Sequence, residues 1–242
     1  MQHSWLHQRG ARDCLLFFAG FGMDPEPFRA IPCRDHDLLM CWDWRELGPW
    51  APILPAGYRS VYLVAWSMGV PVAAHILGPA MRELAGAAAV NGTLHPIDDR
   101  CGIAPQRYQE TLTTLNEPTL SDFYRSMFDD EHAAAAFLAH RPRRGIAELR
   151  EELAALWRLS LEEATPTDHF TTVVVGQRDR VIPARNQQRA WGRARCRLYP
   201  LPHFFFHLGT TAQSSAADDT CGWHSWDALA RELFGGGDHG PG

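Results

Sequence analysis

The order of apolar runs predicts an α/β chain, with a mostly parallel sheet flanked by helices. Runs such as CLLFF at 14–18, VYLVA at 61–65 and TTVVVG at 171–176 are strand-sized and nearly all apolar, as strands covered on both faces should be. The stretches between them space apolar residues by three and four, which is the helical signature. The 242 residues, set against roughly 150 per domain, suggest one domain with an insertion.

Taken in order, residues 4–7 alternate weakly, a turn follows at Gly10, and 14–18 is a buried strand, so a hairpin is expected over 4–18. A second strand is expected at 37–41 and a third at 61–65. Residues 68–77 suit a buried helix with Pro71 in its first turn, where a missing N–H does no harm, and Gly78-Pro79 ends it. Residues 84–90, rich in small side chains, make a fourth strand that stops at Asn91-Gly92. From about 95 to 167 the strand runs vanish and the pattern turns helical, clearest over 148–159; this is the expected helical lid insertion. Strand character returns at 171–176, a helix starts from Pro183 and runs to 192, a last strand covers 196–201, and 223–234 closes the domain as a helix. The polar stretch 210–220 reads as a mobile loop and 235–242 as a disordered tail.

Composition removes several classes of function. Hydrophobic residues make up 45% of the chain, with 12 Phe and 9 Trp, enough for a sizeable core and too many for a disordered chain. A net charge of −5 argues against a general nucleic-acid binder, which needs a basic face. The longest apolar runs fall far short of the ~20 residues that span a bilayer, and residues 1–13 are too polar for a secretion signal. The six cysteines form no C-x-x-C pair and no metal-ligand spacing. A reduced, cytoplasmic protein without a metal is expected.

The strongest local signal is Ala65-Trp66-Ser67-Met68-Gly69, set between an apolar strand and a helix. It has the form of a nucleophile elbow, G-x-S-x-G with Ala first, in which a sharp turn flanked by small residues projects the serine hydroxyl into a cleft. An α/β-hydrolase fold follows from that setting. A serine needs a base to take its proton and an acid to orient the base, and in this architecture the acid follows a late strand and the histidine comes last. Asp179 follows the strand at 171–176, and His203 follows the final strand. Asp98, Asp99 and His207 remain in reserve. The oxyanion requires two N–H donors, for which Met68, after the nucleophile, and Phe21, in the glycine-containing loop 18–24, are the candidates.

Residues 17–24 (FFAGFGMD), 61–68, 91–99 (NGTLHPIDD) and Gly102-Ile103 together resemble the BioG-type pimeloyl-acyl-carrier-protein methyl ester esterases of biotin synthesis. The resemblance covers most of residues 1–205. It implies an esterase that removes a methyl group from a pimeloyl chain held as a thioester on acyl carrier protein, using Ser67, His203 and Asp179 and no cofactor. The acyl chain would then meet apolar walls, for which Phe21, Trp66, Phe123 and Met127 are candidates, with 122–128 as the lid segment. Because carrier proteins are acidic, docking needs a local positive surface, and Arg141, Arg143 and Arg144 are expected to supply it. A general short-chain esterase or thioesterase, and a ligand receptor on the same fold, are the rival readings.

Overall fold

The computed structural model describes residues 1–47, 54–162, 164–207 and 222–235. Seven strands form one sheet in the order β1-β3-β2-β4-β5-β6-β7, comprising β1 (Gln2–His7), β2 (Asp13–Phe18), β3 (His36–Trp42), β4 (Ser60–Trp66), β5 (Gly86–Val90), β6 (Thr172–Gly176) and β7 (Cys196–Tyr199). Every neighbouring pair is parallel except β1 with β3. All five side chains at 14–18 are buried, and all of β5 and β6 as well. Their apolar composition follows from this, since helices or loops cover both faces of a central parallel strand.

The expected hairpin over 4–18 does not form. β3 lies between β1 and β2, and β1 runs antiparallel to β3 with Trp5 opposite Leu39. The buried carboxylate of Asp37, near the start of β3, decides the path. It accepts the amides of Arg9, Gly10 and Ala11 at 2.7–3.2 Å and the Tyr58 hydroxyl at 2.8 Å, which turns the 8–12 segment over β3 instead of into a tight β-turn. These donors hold the Asp37 carboxyl below its ordinary pKa against the opposing effect of burial.

Helix α1 (Gly69–Leu77) follows β4 directly, with Pro71 in its first turn. Four helices stand between β5 and β6, namely α2 (Pro105–Thr114), α3 (Glu117–Ser126), α4 (Glu131–Ala139) and α5 (Ile146–Glu162). Asn116 and Asp130 cap α3 and α4 with side-chain acceptors, which sets where those helices begin. Helix α6 (Ala184–Trp191) starts just after Pro183. Strand β7 ends at Tyr199, short of the expected Leu201, because Pro200 and Pro202 cannot donate to a ladder. Helix α7 (Trp226–Phe234) begins three residues later than its apolar pattern, at the point where Ser225 Oγ accepts the Ala228 amide. The expected loop at 210–220 and, apart from Gly235, the expected tail at 235–242 lie outside the described residues. No helix among the described residues is long and apolar enough to cross a membrane.

Candidate active site

Ser67 sits at the β4–α1 elbow with φ 55°, a left-handed conformation that β-strand and helix residues avoid. The tightness of the turn is visible at Gly69, where a Cβ would lie 2.2 Å from the Phe18 carbonyl oxygen, so α1 can start only on glycine. Ser67 Oγ is 3.0 Å from His203 Nε2, and His203 Nδ1 is 2.9 Å from Asp179 Oδ2. The structure therefore brings together three residues from three different strand ends. All three are buried, with Ser67 5% exposed and His203 1%. Asp179 Oδ1 accepts the Val181 and Ile182 amides at 2.8 and 2.9 Å, so this buried oxygen is fully partnered by the turn that leads into α6.

The reserve residues lie elsewhere. Asp98 accepts the amides of Arg100 and Cys101 within its own turn, and Asp99 is exposed. The His207 ring faces that of His224, 4.9 Å away. Among the described residues, neither the Phe21 nor the Met68 amide donates to a protein acceptor, and both residues line the cavity beside Ser67.

That cavity is mainly apolar and is roofed by the helices between β5 and β6, with Tyr108 and Thr111 from α2, Phe123 and Ser126 from α3 and Leu153 from α5. Of the four side chains expected to wall the acyl chain, Phe21 and Phe123 line this cavity. Trp66 and Met127 do not, which corrects the expectation. Trp66 is the last residue of β4, its indole Nε1 donates to the His203 carbonyl at 3.0 Å, and its ring packs against Phe28, Phe204 and Phe205. Met127 is buried beneath the same loop, its carbonyl accepting the Phe204 amide at 3.0 Å.

The basic run also needs correction. Arg144 is buried, its guanidinium paired with Asp43 at 3.0 Å and with Glu152, and set 5.6 Å over the Trp42 ring. Sequence spacing could not reveal this, because Asp43 lies about 100 residues upstream and Glu152 nearly two turns into α5. Arg141 pairs with Glu117 at 3.1 Å and Arg143 with Glu26 at 2.9 Å. The cation at the cavity is instead Arg107 of α2, exposed and paired with no carboxylate among the described residues.

Two residues that support the site were not singled out from the sequence. Asn91, at the end of β5 with φ 46°, donates through Nδ2 to the carbonyls of Pro202 and His203, both at 2.9 Å, and accepts the Gly176 amide through Oδ1 at 2.6 Å. The other is Gln187, buried against Asp179. Away from the cavity, Cys33, His36 and Asp227 bring three potential metal-ligand atoms within 4.8 Å of one another. The Asp227 carboxylate is already engaged by the Arg34 and Asp35 amides and by His36 Nδ1, so it pins the loop before β3 to α7.

A mostly parallel sheet of this order, with a serine at a strand–helix elbow hydrogen-bonded to a histidine that in turn meets an aspartate, defines an α/β-hydrolase fold. The chain belongs to the family described as pimeloyl-ACP methyl esterase BioG, whose profile matches residues 1–212. It is similar to the crystal structure of BioG from Haemophilus influenzae, with a TM-score of 0.72 at 31% identity, covering 82% of this chain and 90% of that one. A bromoperoxidase from Bacillus anthracis, at a TM-score of 0.53 and 12% identity over 81% of this chain and 85% of that one, shares the fold. A malonyl-[acyl-carrier protein] O-methyltransferase from Bacteroides fragilis is 41% identical over 180 residues, 74% of this chain. The match spans only 36% of that longer protein's length.

Proposed function

We propose that this chain hydrolyses the methyl ester of a pimeloyl group carried on acyl carrier protein, releasing methanol and the free ω-carboxylate. The observation that carries the reading is the continuous hydrogen-bonded line from Ser67 Oγ through His203 to Asp179, opening on an apolar cavity. His203 Nε2 takes the Ser67 proton as Oγ attacks the ester carbonyl, and the Phe21 and Met68 amides receive the oxyanion. The imidazolium then returns the proton to the departing methoxide. Water, deprotonated by the same ring, cleaves the acyl-serine and regenerates the hydroxyl. Asp179 holds the ring with Nε2 facing Ser67 and stabilises it when charged.

The family membership supports the substrate. The name of the Bacteroides fragilis relative describes O-methylation of an acyl group on a carrier protein, and the methyl ester so formed is the bond that a hydrolase of this kind opens. Helices α2 to α5 act as the lid over the acyl chain. The acidic carrier meets the mouth of the cavity at Arg107, in place of the three arginines at 141–144.

Ser67→Ala is the direct test. It should abolish release of methanol from methyl pimeloyl-carrier protein and labelling by a fluorophosphonate while the thermal melt stays unchanged. Retained hydrolysis would exclude the serine mechanism, and equal turnover of small aryl esters and the carrier-bound ester by the intact chain would leave a general esterase.

A further inference from the structure

Four donors converge on the Asp179 carboxylate. Two are amides that fix Oδ1 where the loop turns into α6, and the third is His203 on Oδ2. The fourth is Gln187, one turn into α6, whose Nε2 lies 2.8 Å from the same Oδ2 and 2.8 Å from the carbonyl of Ile182. Both neighbours can only accept, so the NH₂ end of the amide must face them. The other end, Oε1, is buried without a hydrogen-bond partner among the described residues, and Gln187 as a whole is 0% exposed. An orphaned buried acceptor is destabilising. Leu or Met would fill the same space without it, so packing alone does not account for a glutamine here.

We propose that Gln187 is a positioning residue for the Ser67–His203–Asp179 relay. By sharing Oδ2 with the imidazole it holds the carboxylate in the plane that faces Nδ1. It also draws negative charge from that oxygen, which limits how strongly Asp179 stabilises the imidazolium. The inference deepens the proposed function and rests on it. Other charged groups nearby are turned away from the pair. Arg178 reaches Asp129 and the Pro200 carbonyl, Arg180 is exposed, and Asp98, in the loop that packs on α6 through Asn186, is engaged by its own turn. Gln187 is thus the neutral donor that adjusts a single charged contact.

Gln187→Met keeps the volume and removes the donor. The expected result is a kcat about ten-fold lower at similar KM, with the acid limb of the pH–rate profile moved upward by about half a unit, because a less shared carboxylate favours the protonated ring. Gln187→Glu should retain activity on the acid side, where its carboxyl can still donate, and lose it as pH rises and two carboxylates meet. Variants that lose activity with an unmoved profile would reduce Gln187 to a packing role and overturn the inference. A third measurement does not depend on either variant folding or on turnover. In the unmodified chain, the side-chain amide resonances of Gln187 should shift with the titration of His203, and resonances that stay fixed would likewise overturn it. Fluorophosphonate labelling of Ser67 separates this from the parent reading, since labelling without any role for Gln187 defeats only the positioning proposal.

Discussion

Asn91 illustrates how much one side chain organises at this site. Its backbone is left-handed, a conformation that asparagine tolerates better than most residues, and its amide clamps β6 and the loop carrying His203 to the end of β5. Gly92 follows because a Cβ there would lie 2.4 Å from the Ser67 carbonyl oxygen. Asn91→Leu leaves two buried carbonyls and one amide without this partner. The expected cost is about 3 kcal/mol or more, at roughly 1–3 kcal/mol for each group exposed to that loss, together with a kcat reduced more than KM as His203 loosens. Denaturant unfolding and steady-state kinetics check both, and a variant as stable and active as the parent would show that the Trp66 and Met127 contacts suffice to hold the loop. The Asn-Gly pair is readable in sequence as a strand stop and as part of the 91–99 segment, but its clamping role is not, since its partners at 176, 202 and 203 are remote in the chain.

At the scale of elements, the helices between β5 and β6 are stitched to the sheet at several points. The Tyr124 hydroxyl donates to the Gly22 carbonyl at 3.0 Å, Arg178 pairs with Asp129 at 2.8 Å, and Phe204 packs against Phe128 and Phe137. The most buried tie joins α5 to the end of β3 through Glu152, Arg144 and Asp43. Burial is the largest influence on Glu152 and pushes its pKa up from 4.5 to about 7, although Arg144 pulls the other way. A folded-state pKa above the unfolded one means that the folded protein binds the extra proton, so this group's contribution to stability falls as pH rises from about 4.5 through 7. Glu152→Gln removes that titration. Its melting temperature, measured relative to the parent, should therefore climb between pH 5 and 8, whatever the constant loss from weakening the Arg144 contact. Parallel curves would show that Glu152 stays ionised in the fold throughout. The periodicity of 148–159 made the helix legible, but nothing local marks position 152 as the one that faces a buried arginine.

For the whole molecule, the problem is charge. Under the proposed function, a chain of net charge −5 has to receive an acidic carrier protein, which calls for a local cation free of carboxylates. The basic run at 141–144 looks suitable in sequence, yet Arg144 is spent inside the protein and Arg141 and Arg143 face glutamates. Arg107 lines the mouth and has no such partner among the described residues. Reversing it in Arg107→Glu should raise KM for the carrier-bound ester roughly ten-fold more than for a small aryl ester, or about 1.4 kcal/mol, with the difference shrinking in high salt. Arg143→Glu should do less, because Glu26 already offsets its charge. Equal effects of the two reversals would place the contact elsewhere.

The sequence by itself determined the parallel core strands, the serine elbow and the helical character of the insertion. Each of these depends on contiguous residues, where periodicity and turn chemistry act over a few bonds. The tertiary structure alone decided that β1 pairs with β3, which arginine is buried, that Trp66 and Met127 support the histidine loop without touching the cavity, and that Asn91 and Gln187 stand behind the Ser67–His203–Asp179 line. Those outcomes depend on hydrogen-bond and charge partners many residues apart. Burial turns such partners into strong constraints only after the chain has closed around them.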